Sequence, residues 1–324
     1  MAEDTRWLDA AASLAARGRP LSAPNPAVGA IIVNDGIVLG RGRTAQGGRP
    51  HAEAAALAQA GEAANGATLY VTLEPCAHES TRGPACADLV AASGVASVVI
   101  GCGDPDPRTN GKGIERLRQA GIDVQVLGHA PSRTSLAGFL TRETVRRPHV
   151  TLKLAVSRDG FIGPLSGEPV VITGEAARAH VHRERARADA ILVGAGTLRK
   201  DAPRLDVRLP GLEDRSPRRF VLTRGQAPEG WLTLARPQDI HELLPMQYLY
   251  IEGGAETAAA FLQAGLVDLL QVYCAPHDLG EGIPAYGTLG PAPGGAPPPG
   301  FTCVDRRRIG SDMLFAYRPD QTGD

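Results

Sequence analysis

The chain has no long apolar run, no excess of either charge and too few cysteines for a disulfide scaffold. A membrane-spanning helix needs about 20 apolar residues in succession, and nothing here approaches that, so no membrane role is expected. A formal net charge of −1 leaves no polybasic surface to suggest nucleic acid as a partner. Five cysteines are an odd number, and Cys102, Cys274 and Cys303 are scattered, which excludes a disulfide framework. A reducing cytoplasm is the expected location. The opening Met-Ala-Glu-Asp-Thr-Arg lacks the basic start and apolar centre of a secretory signal. No internal repeat is present. What remains is an ordinary globular composition, 43% hydrophobic and 21% charged, over 324 residues, a length that suits two domains.

Chemistry concentrates between His51 and Cys86. His51-Ala-Glu53 is followed by Leu73-Glu-Pro-Cys76 and then by Cys86. One imidazole and two thiolates leave the fourth position of a tetrahedral zinc open, as a catalytic site requires. Such a metal draws the pKa of a water toward neutrality. Glu53 stands where a proton shuttle to a leaving amine is needed. The pattern matches the H-x-E…P-C…C signature of zinc deaminases acting on nucleobases, although the usual short C-x-x-C is replaced by a longer spacing. A structural zinc would want a fourth protein ligand, for which His78 and Cys102 are available. Glu53 has no role in such a site.

The elements around these residues can be placed. Residues 5–17 read as a helix with Leu8, Ala11, Ala12 and Ala15 on one stripe. Ala30-Ile-Ile-Val33 and Ile37-Val-Leu39 are strands flanking an Asn34-Asp-Gly36 hairpin. The alanine-rich run 51–60 is predicted helical and 67–73 a buried strand ended by Pro75. A helix over 86–93, a strand over 95–100, a helix over 113–120 and a strand over 122–126 complete a three-layer α/β unit. Asn25, between two prolines, is either a turn residue or a substrate contact. The loop after residue 100, with Asp104, follows a buried strand, where α/β folds place ligand contacts.

Residues 131–148 are polar and basic, and the pattern restarts at His149-Val-Thr-Leu-Lys-Leu-Ala-Val156, so domains are expected at 1–147 and 148–324. Thr173 can cap a helix over 175–188. Strands are expected at 190–193, 220–222, 248–251, 269–275 and 313–317, and a helix runs to 264. Gly194-Ala-Gly-Thr197 and Glu252-Gly-Gly-Ala-Glu-Thr257 are strand–glycine–helix junctions, the kind that hold phosphate-bearing cofactors. Pro291 to Gly300 is little but Pro, Gly and Ala and reads as mobile. His180 and His182, two apart on a helix, face different ways and cannot ligate one metal.

Several of these segments together resemble one family. They are Pro24-Asn-Pro-x-Val-Gly29, Pro50-His-Ala-Glu53, Val71-Thr-Leu-Glu-Pro-Cys76, Gly111-Lys-Gly113, Thr151-Leu-Lys-Leu154 with Asp159-Gly160, Ile172-Thr-Gly174, Asp189-Ala-Ile-Leu-Val-Gly194, Asp201 to Arg208, Glu252-Gly-Gly254 and Ala264-Gly-Leu-Val-Asp268. In this order they resemble the bifunctional deaminase–reductases of riboflavin biosynthesis over essentially the whole chain. The resemblance implies an N-terminal domain of the cytidine-deaminase fold and a C-terminal domain like dihydrofolate reductase. The first would deaminate 2,5-diamino-6-ribosylamino-4(3H)-pyrimidinone 5′-phosphate, and the second would reduce the ribosyl group to ribityl with NADPH.

By the same resemblance His51, Cys76 and Cys86 match zinc ligands and Glu53 the proton shuttle. Asn25, joined by Asp104, matches a pyrimidine contact. In the second domain Lys153, Arg185, Leu205, Arg208 and Glu252 match substrate positions, with Lys153 nearest the reacting C1′ and the two arginines suited to a phosphate. Ala155, Val171, Thr197, Asp201 and the turn from Gly254 through Ala255, Glu256 and Thr257 match nucleotide positions. Arg224, at a strand end, is expected to grip the 2′-phosphate of NADPH. The resemblance also implies a homo-oligomer, with a dimer through the sheet edge of the second domain.

Departures are visible. The Cys76–Cys86 spacing is one residue longer than the commonest, Thr44 replaces a frequent His, Val171 a frequent Trp, and Ala202 the second Asp of Asp-Asp-Pro, while 210–246 is short. They leave two rivals: a deaminase whose C-terminal domain is a non-catalytic binding or dimerisation module, and a polynucleotide deaminase, which would want a basic groove.

Overall fold

The computed structural model describes residues 2–78, 83–166, 168 and 170–320. The chain divides into two compact units, Met1–Arg146 and Arg147–Asp324.

In the first unit a helix α1 (Ala2–Ala16) precedes β1 (Gly29–Asn34) and β2 (Ile37–Arg43). Asp35 and Gly36 between them both hold positive φ, 50° and 74°, the conformation of the tight hairpin turn expected there. Then follow α2 (Ala52–Ala60), β3 (Thr68–Leu73), α3 (Cys86–Ala91), β4 (Ser97–Cys102), α4 (Lys112–Gln119) and β5 (Asp123–Val126). The strand order is β2-β1-β3-β4-β5, with β1 antiparallel to its neighbours and β3, β4 and β5 parallel. One face of the sheet buries Ala30, Ile32, Leu69 and Val98 against Ala52, Ala56, Val90 and Leu117. The other buries Ile31, Val33, Tyr70 and Val99 against Trp7, Leu8 and Ala11 of α1. These are the three layers read from the sequence. Residues 131–148, read there only as polar and basic, form α5 (Ala130–Ser135) and α6 (Ala137–Val145).

The alanines of α2 matter because the helix nearly touches the sheet. A Cβ added to Gly42 would stand 2.1 Å from the Ala52 carbonyl oxygen, and one on Gly40 2.2 Å from that of Ala56. Ala52 and Ala56 are fully buried in that contact. The start of α2, which carries His51 and Glu53, is therefore fixed by backbone-to-backbone proximity.

The second unit opens on β6 (His149–Val156), then α7 (Glu175–Arg185), β7 (Ala190–Gly194), α8 (Ala195–Asp201), β8 (Arg218–Leu222), β9 (Leu232–Leu234), β10 (Tyr248–Ile251), α9 (Ala255–Gln263), β11 (Leu269–Cys274), β12 (Phe301–Ile309) and β13 (Asp312–Pro319). They form one sheet in the order β12-β13-β11-β6-β10-β7-β8-β9, parallel except at β13 and β12. Along β6 the side chains alternate, with Val150, Leu152, Leu154 and Val156 buried. Two half-buried carboxylates tie strand starts together: Asp189 accepts from the Gln247 and Tyr248 amides (2.9 and 2.8 Å), and Asp268 from the Val150 amide at 2.8 Å and from Arg147.

Three expectations need correction. Helix α7 is capped at Gly174, not by the Thr173 side chain; the Gly174 amide donates to Asp312 Oδ2 at 2.8 Å instead. The Pro/Gly-rich stretch before β12 is not loose, because Ala285, Tyr286 and Ala292 are buried and the Tyr286 hydroxyl donates to the Ala296 carbonyl at 2.7 Å. Residues 301–309 are a strand, unread because its side chains are nearly all exposed and carry no alternation. The short 210–246 stretch still supplies β8 and β9, with Phe220 and Leu234 in the core.

Gly42→Ala is expected to destabilise the first unit by about 1–3 kcal/mol through overpacking against the α2 backbone. Urea unfolding measures this, and an unchanged midpoint would contradict the close approach.

Candidate active sites

In the first unit three element ends converge. His51 is the N-cap of α2, Cys76 follows the end of β3, and Cys86 begins α3. His51 Nδ1 lies 3.2 Å from Cys86 Sγ and 3.6 Å from Cys76 Sγ, and the Cys86 amide donates to Cys76 Sγ at 3.3 Å. The three donor atoms lie within 4.8 Å of one another. The hydrogen bond between the sulfurs pulls Cys76 well below the ordinary thiol range and pushes Cys86 above it. An imidazole and two sulfurs, one with thiolate character, fit a zinc ion and leave one position open. The rival fourth ligands are elsewhere: His78 Nδ1 faces Thr109 Oγ1 at 3.5 Å, and the Cys102 thiol donates to the Thr72 carbonyl at 3.4 Å.

Glu53, in the first turn of α2, is buried beside this cluster, and burial pushes its carboxyl up to about 7. A cleft of about 270 Å³ opens onto it, with Asn25, Thr44 and Asp104 among its walls. Asn25 Nδ2 donates to the Gly48 carbonyl at 3.0 Å and sits 3.0 Å from His51 Nε2, so it steadies the imidazole as well as facing the cleft. Gly48 must be glycine: its φ is +88°, and a Cβ would meet the Asn25 amide carbon at 2.7 Å. Thr44 turns its hydroxyl to the Val28 amide at 3.0 Å. Burial raises Asp104 to about 7 as well.

One residue had no role in the sequence reading. Glu74 is buried and its carboxylate accepts the amides of Asp104 (3.2 Å), Gly111 (3.1 Å), Gly113 (3.0 Å) and Ile114 (3.2 Å). It ties the Asp104 loop and the start of α4 to the end of β3. The motif position was visible, but partners some 30 to 40 residues away were not.

The second unit holds a larger cleft, about 950 Å³. Lys153 and Ala155 line it from β6, Val171 from the loop before α7, and Arg185 from α7. Thr197 and Asp201 line it from α8, Arg208 from the following loop, and Glu252, Gly254, Ala255, Glu256 and Thr257 from the β10–α9 junction. At its base Arg185 grips Glu252 with both edges, Nε to Oε1 at 2.5 Å and Nη2 to Oε2 at 2.9 Å, while Lys153 Nζ lies 3.8 Å from Glu252. Burial alone would raise Glu252, but the two cations hold it below the usual carboxylate range. Burial lowers Lys153, against the pull of Glu252.

Arg185 also donates to the Asp206 carbonyl at 3.0 Å, so its guanidinium is committed to the protein and is not a free phosphate fork as expected. Leu205 packs its side chain in the core at a φ of +54° and does not line the cleft. Arg224 is exposed and also absent from the lining. The cations the sequence reading missed there are Arg178, Arg199 and Lys200, together with His182, whose Nδ1 accepts the Arg208 amide at 3.2 Å. Val171 is 72% exposed and forms no aromatic wall.

Family comparisons agree with both clefts. Residues 1–102 match the cytidine and deoxycytidylate deaminase zinc-binding region, and residues 148–236 and 238–315 match the RibD C-terminal domain. The riboflavin biosynthesis protein RibD of Escherichia coli is 36% identical, covering 97% of this chain and 98% of its own length. That of Aquifex aeolicus is 37% identical, covering 89% and 90%. The chain belongs to the RibD family. Among solved structures, RibD of Acinetobacter baumannii superposes with a TM-score of 0.83 at 34% identity over 98% of this chain and 99% of that one. A diaminohydroxyphosphoribosylaminopyrimidine deaminase/5-amino-6-(5-phosphoribosylamino)uracil reductase of Thermotoga maritima gives 0.84 at 30% identity, covering 98% of each. This RibD-family chain is thus a two-domain deaminase and reductase of riboflavin biosynthesis, with zinc and NADPH as cofactors.

Glu252→Ala is expected to cost about 3–5 kcal/mol of stability, because it leaves the buried Arg185 and the half-buried Lys153 without their counterion. Denaturant unfolding checks this, and a loss below about 1 kcal/mol, as for a surface pair, would contradict the buried triad.

Proposed function

We propose that residues 1–147 deaminate 2,5-diamino-6-ribosylamino-4(3H)-pyrimidinone 5′-phosphate and that residues 148–324 then reduce the ribosyl group of the product to ribityl. The observation that carries this is a carboxyl raised to about 7 beside an open His/Cys/Cys donor set. His51, Cys76 and Cys86 would hold a zinc ion, which would supply the Lewis acidity that brings water toward ionisation at neutral pH. Glu53, poised near neutrality, takes one proton from that water and passes it to a ring nitrogen as the water oxygen bonds to the amine-bearing carbon, then passes the second proton from the added hydroxyl to the amine, which leaves as ammonia as the carbonyl forms. Asn25 and Asp104 hold the pyrimidine edge. NADPH supplies the hydride for the second step.

In the reductase cleft the hydride arrives at C1′ of the opened sugar. Lys153, whose pKa burial lowers, is the proposed donor of a proton to the oxygen at that carbon, and Glu252 with Arg185 keeps it in position. Arg208 faces the substrate. Ala155, Val171, Thr197, Asp201 and the Gly254–Thr257 turn hold the nucleotide, with α9 presenting its N-terminus to the phosphates. A contact of Leu205 with substrate would come from its main chain, and Arg224 is not assigned to the cofactor. The partner is a small molecule. The protein is also proposed to be a cytoplasmic homodimer, supported by five free thiols and by the unpaired outer edge of the nine-residue strand β12.

Glu53→Gln is expected to keep zinc yet lose ammonia release by about 10²–10⁴-fold. NADPH oxidation on supplied deaminated intermediate should continue. Near-normal ammonia release from Glu53→Gln would overturn the assignment.

A further inference from the structure

The loop after α8 carries Arg208 to the reductase cleft, and side chains from outside that stretch fix its backbone. Leu205 is buried at its base with a φ of +54°. From there Arg185 Nη1 donates to the Asp206 carbonyl at 3.0 Å and the Val207 amide donates to Ser216 Oγ at 3.0 Å. The Arg208 amide donates to His182 Nδ1 at 3.2 Å. A guanidinium stays charged and a hydroxyl stays neutral near neutral pH, so of these three anchors only the imidazole titrates there.

The direction of the last bond decides the state of the ring. A backbone N–H can only donate, so Nδ1 is the bare nitrogen and the proton of the neutral imidazole sits on Nε2. The imidazolium has no bare nitrogen. Protonation would set N–H against N–H and remove the anchor at Arg208. The surroundings of His182 oppose that step. Burial is the largest influence, followed by Arg185, three residues on along α7, and by Arg208 itself, and together they bring the ring below its ordinary value. Glu252 at the end of β10 and the Asp206 carbonyl favour the charged form, but Arg185 already donates to both. Lys153 of β6 stands beside the same Glu252, and the Asp206 carboxylate faces Arg204 and Arg208 at 2.6 and 3.4 Å.

We propose that His182 is a positioning residue of the reductase: its unprotonated Nδ1 holds the Arg208 backbone so that the Arg208 side chain meets the substrate, and protonation of the ring releases that loop. The inference rests on the reductase reading above, in which Arg208 faces the substrate. The neutral ring is fully present above its pKa and is lost as pH falls through it. The second domain therefore loses substrate binding on the acid side of the ordinary histidine range.

The test measures reductase kcat/KM on supplied deaminated ribotide from about pH 4.5 to 8 for wild type, His182→Asn and His182→Leu, since this parameter reports groups of the free enzyme. Asparagine places Oδ1 where Nδ1 stands and accepts the amide without titrating, whereas leucine fills the space and accepts nothing. His182→Leu is expected to lose about 3- to 10-fold at pH 8, mainly through KM, as for one lost hydrogen bond. Wild type should match His182→Asn at pH 8 and drop below it by a similar factor as pH falls below about 6.5. The substrate phosphate titrates at about 6 with every variant, so the ratio of wild type to His182→Asn isolates the ring. A ratio constant across the whole range, or a His182→Leu profile equal to wild type, overturns the proposal. The ¹H–¹⁵N signal of the Arg208 amide should move with pH over the same acid range in wild type and hold still in His182→Asn. If wild type oxidises no NADPH, the substrate reading fails and the role of His182 is judged on that signal: movement in wild type alone supports it, and the same pH response in both proteins overturns it.

Discussion

Burial of charge beside a donor cluster is the constraint on which the deaminase half depends. His51, Cys76 and Cys86 come from three element ends that meet because α2 lies almost in backbone contact with β2. Two sulfurs and an imidazole this close repel or share protons unless a cation completes them, and the same burial raises the carboxyl of Glu53 into the range where it can both take and give a proton. The packing that makes the site costly to form is what makes it chemically useful. Glycines 40 and 42, far from the chemistry in role, set the approach on which it all rests.

The reductase half solves a similar problem with ions alone. Glu252 is buried, yet it stays ionised because Arg185 covers both its oxygens and Lys153 stands beside it. That arrangement takes Arg185 out of the set of free phosphate donors and turns it into a brace. Burial lowers the neighbouring Lys153, against the pull of Glu252. Around this base the glycine junctions after β7 and β10 open a cleft lined by further cations.

Much of the deaminase site was legible because its residues sit where sequence punctuation is strongest: His51 after Pro50, Cys76 after Pro75, Cys86 at a helix start. Glu74 was in plain view but its work was not, since all four of its donors come from a loop and a helix start after the next strand. The pairing of Arg185 with Glu252 spans 67 residues and could not be read locally. Arg224, read from its place after a strand, is exposed and lies outside the residues that line the cleft. Phe301 to Ile309 hid as a strand because an exposed edge needs no apolar alternation, and Pro291 to Gly300 seemed mobile because composition says nothing of Ala292 packing into the core.

The central claim is that the two clefts act in sequence on one ribotide. The direct measurement is a single reaction with the diaminopyrimidinone ribotide and NADPH, following ammonia release and NADPH oxidation together. Ammonia should appear first and NADPH loss should follow it with a lag, mole for mole. NADPH consumed without prior ammonia, or ammonia released with NADPH untouched, would contradict the account.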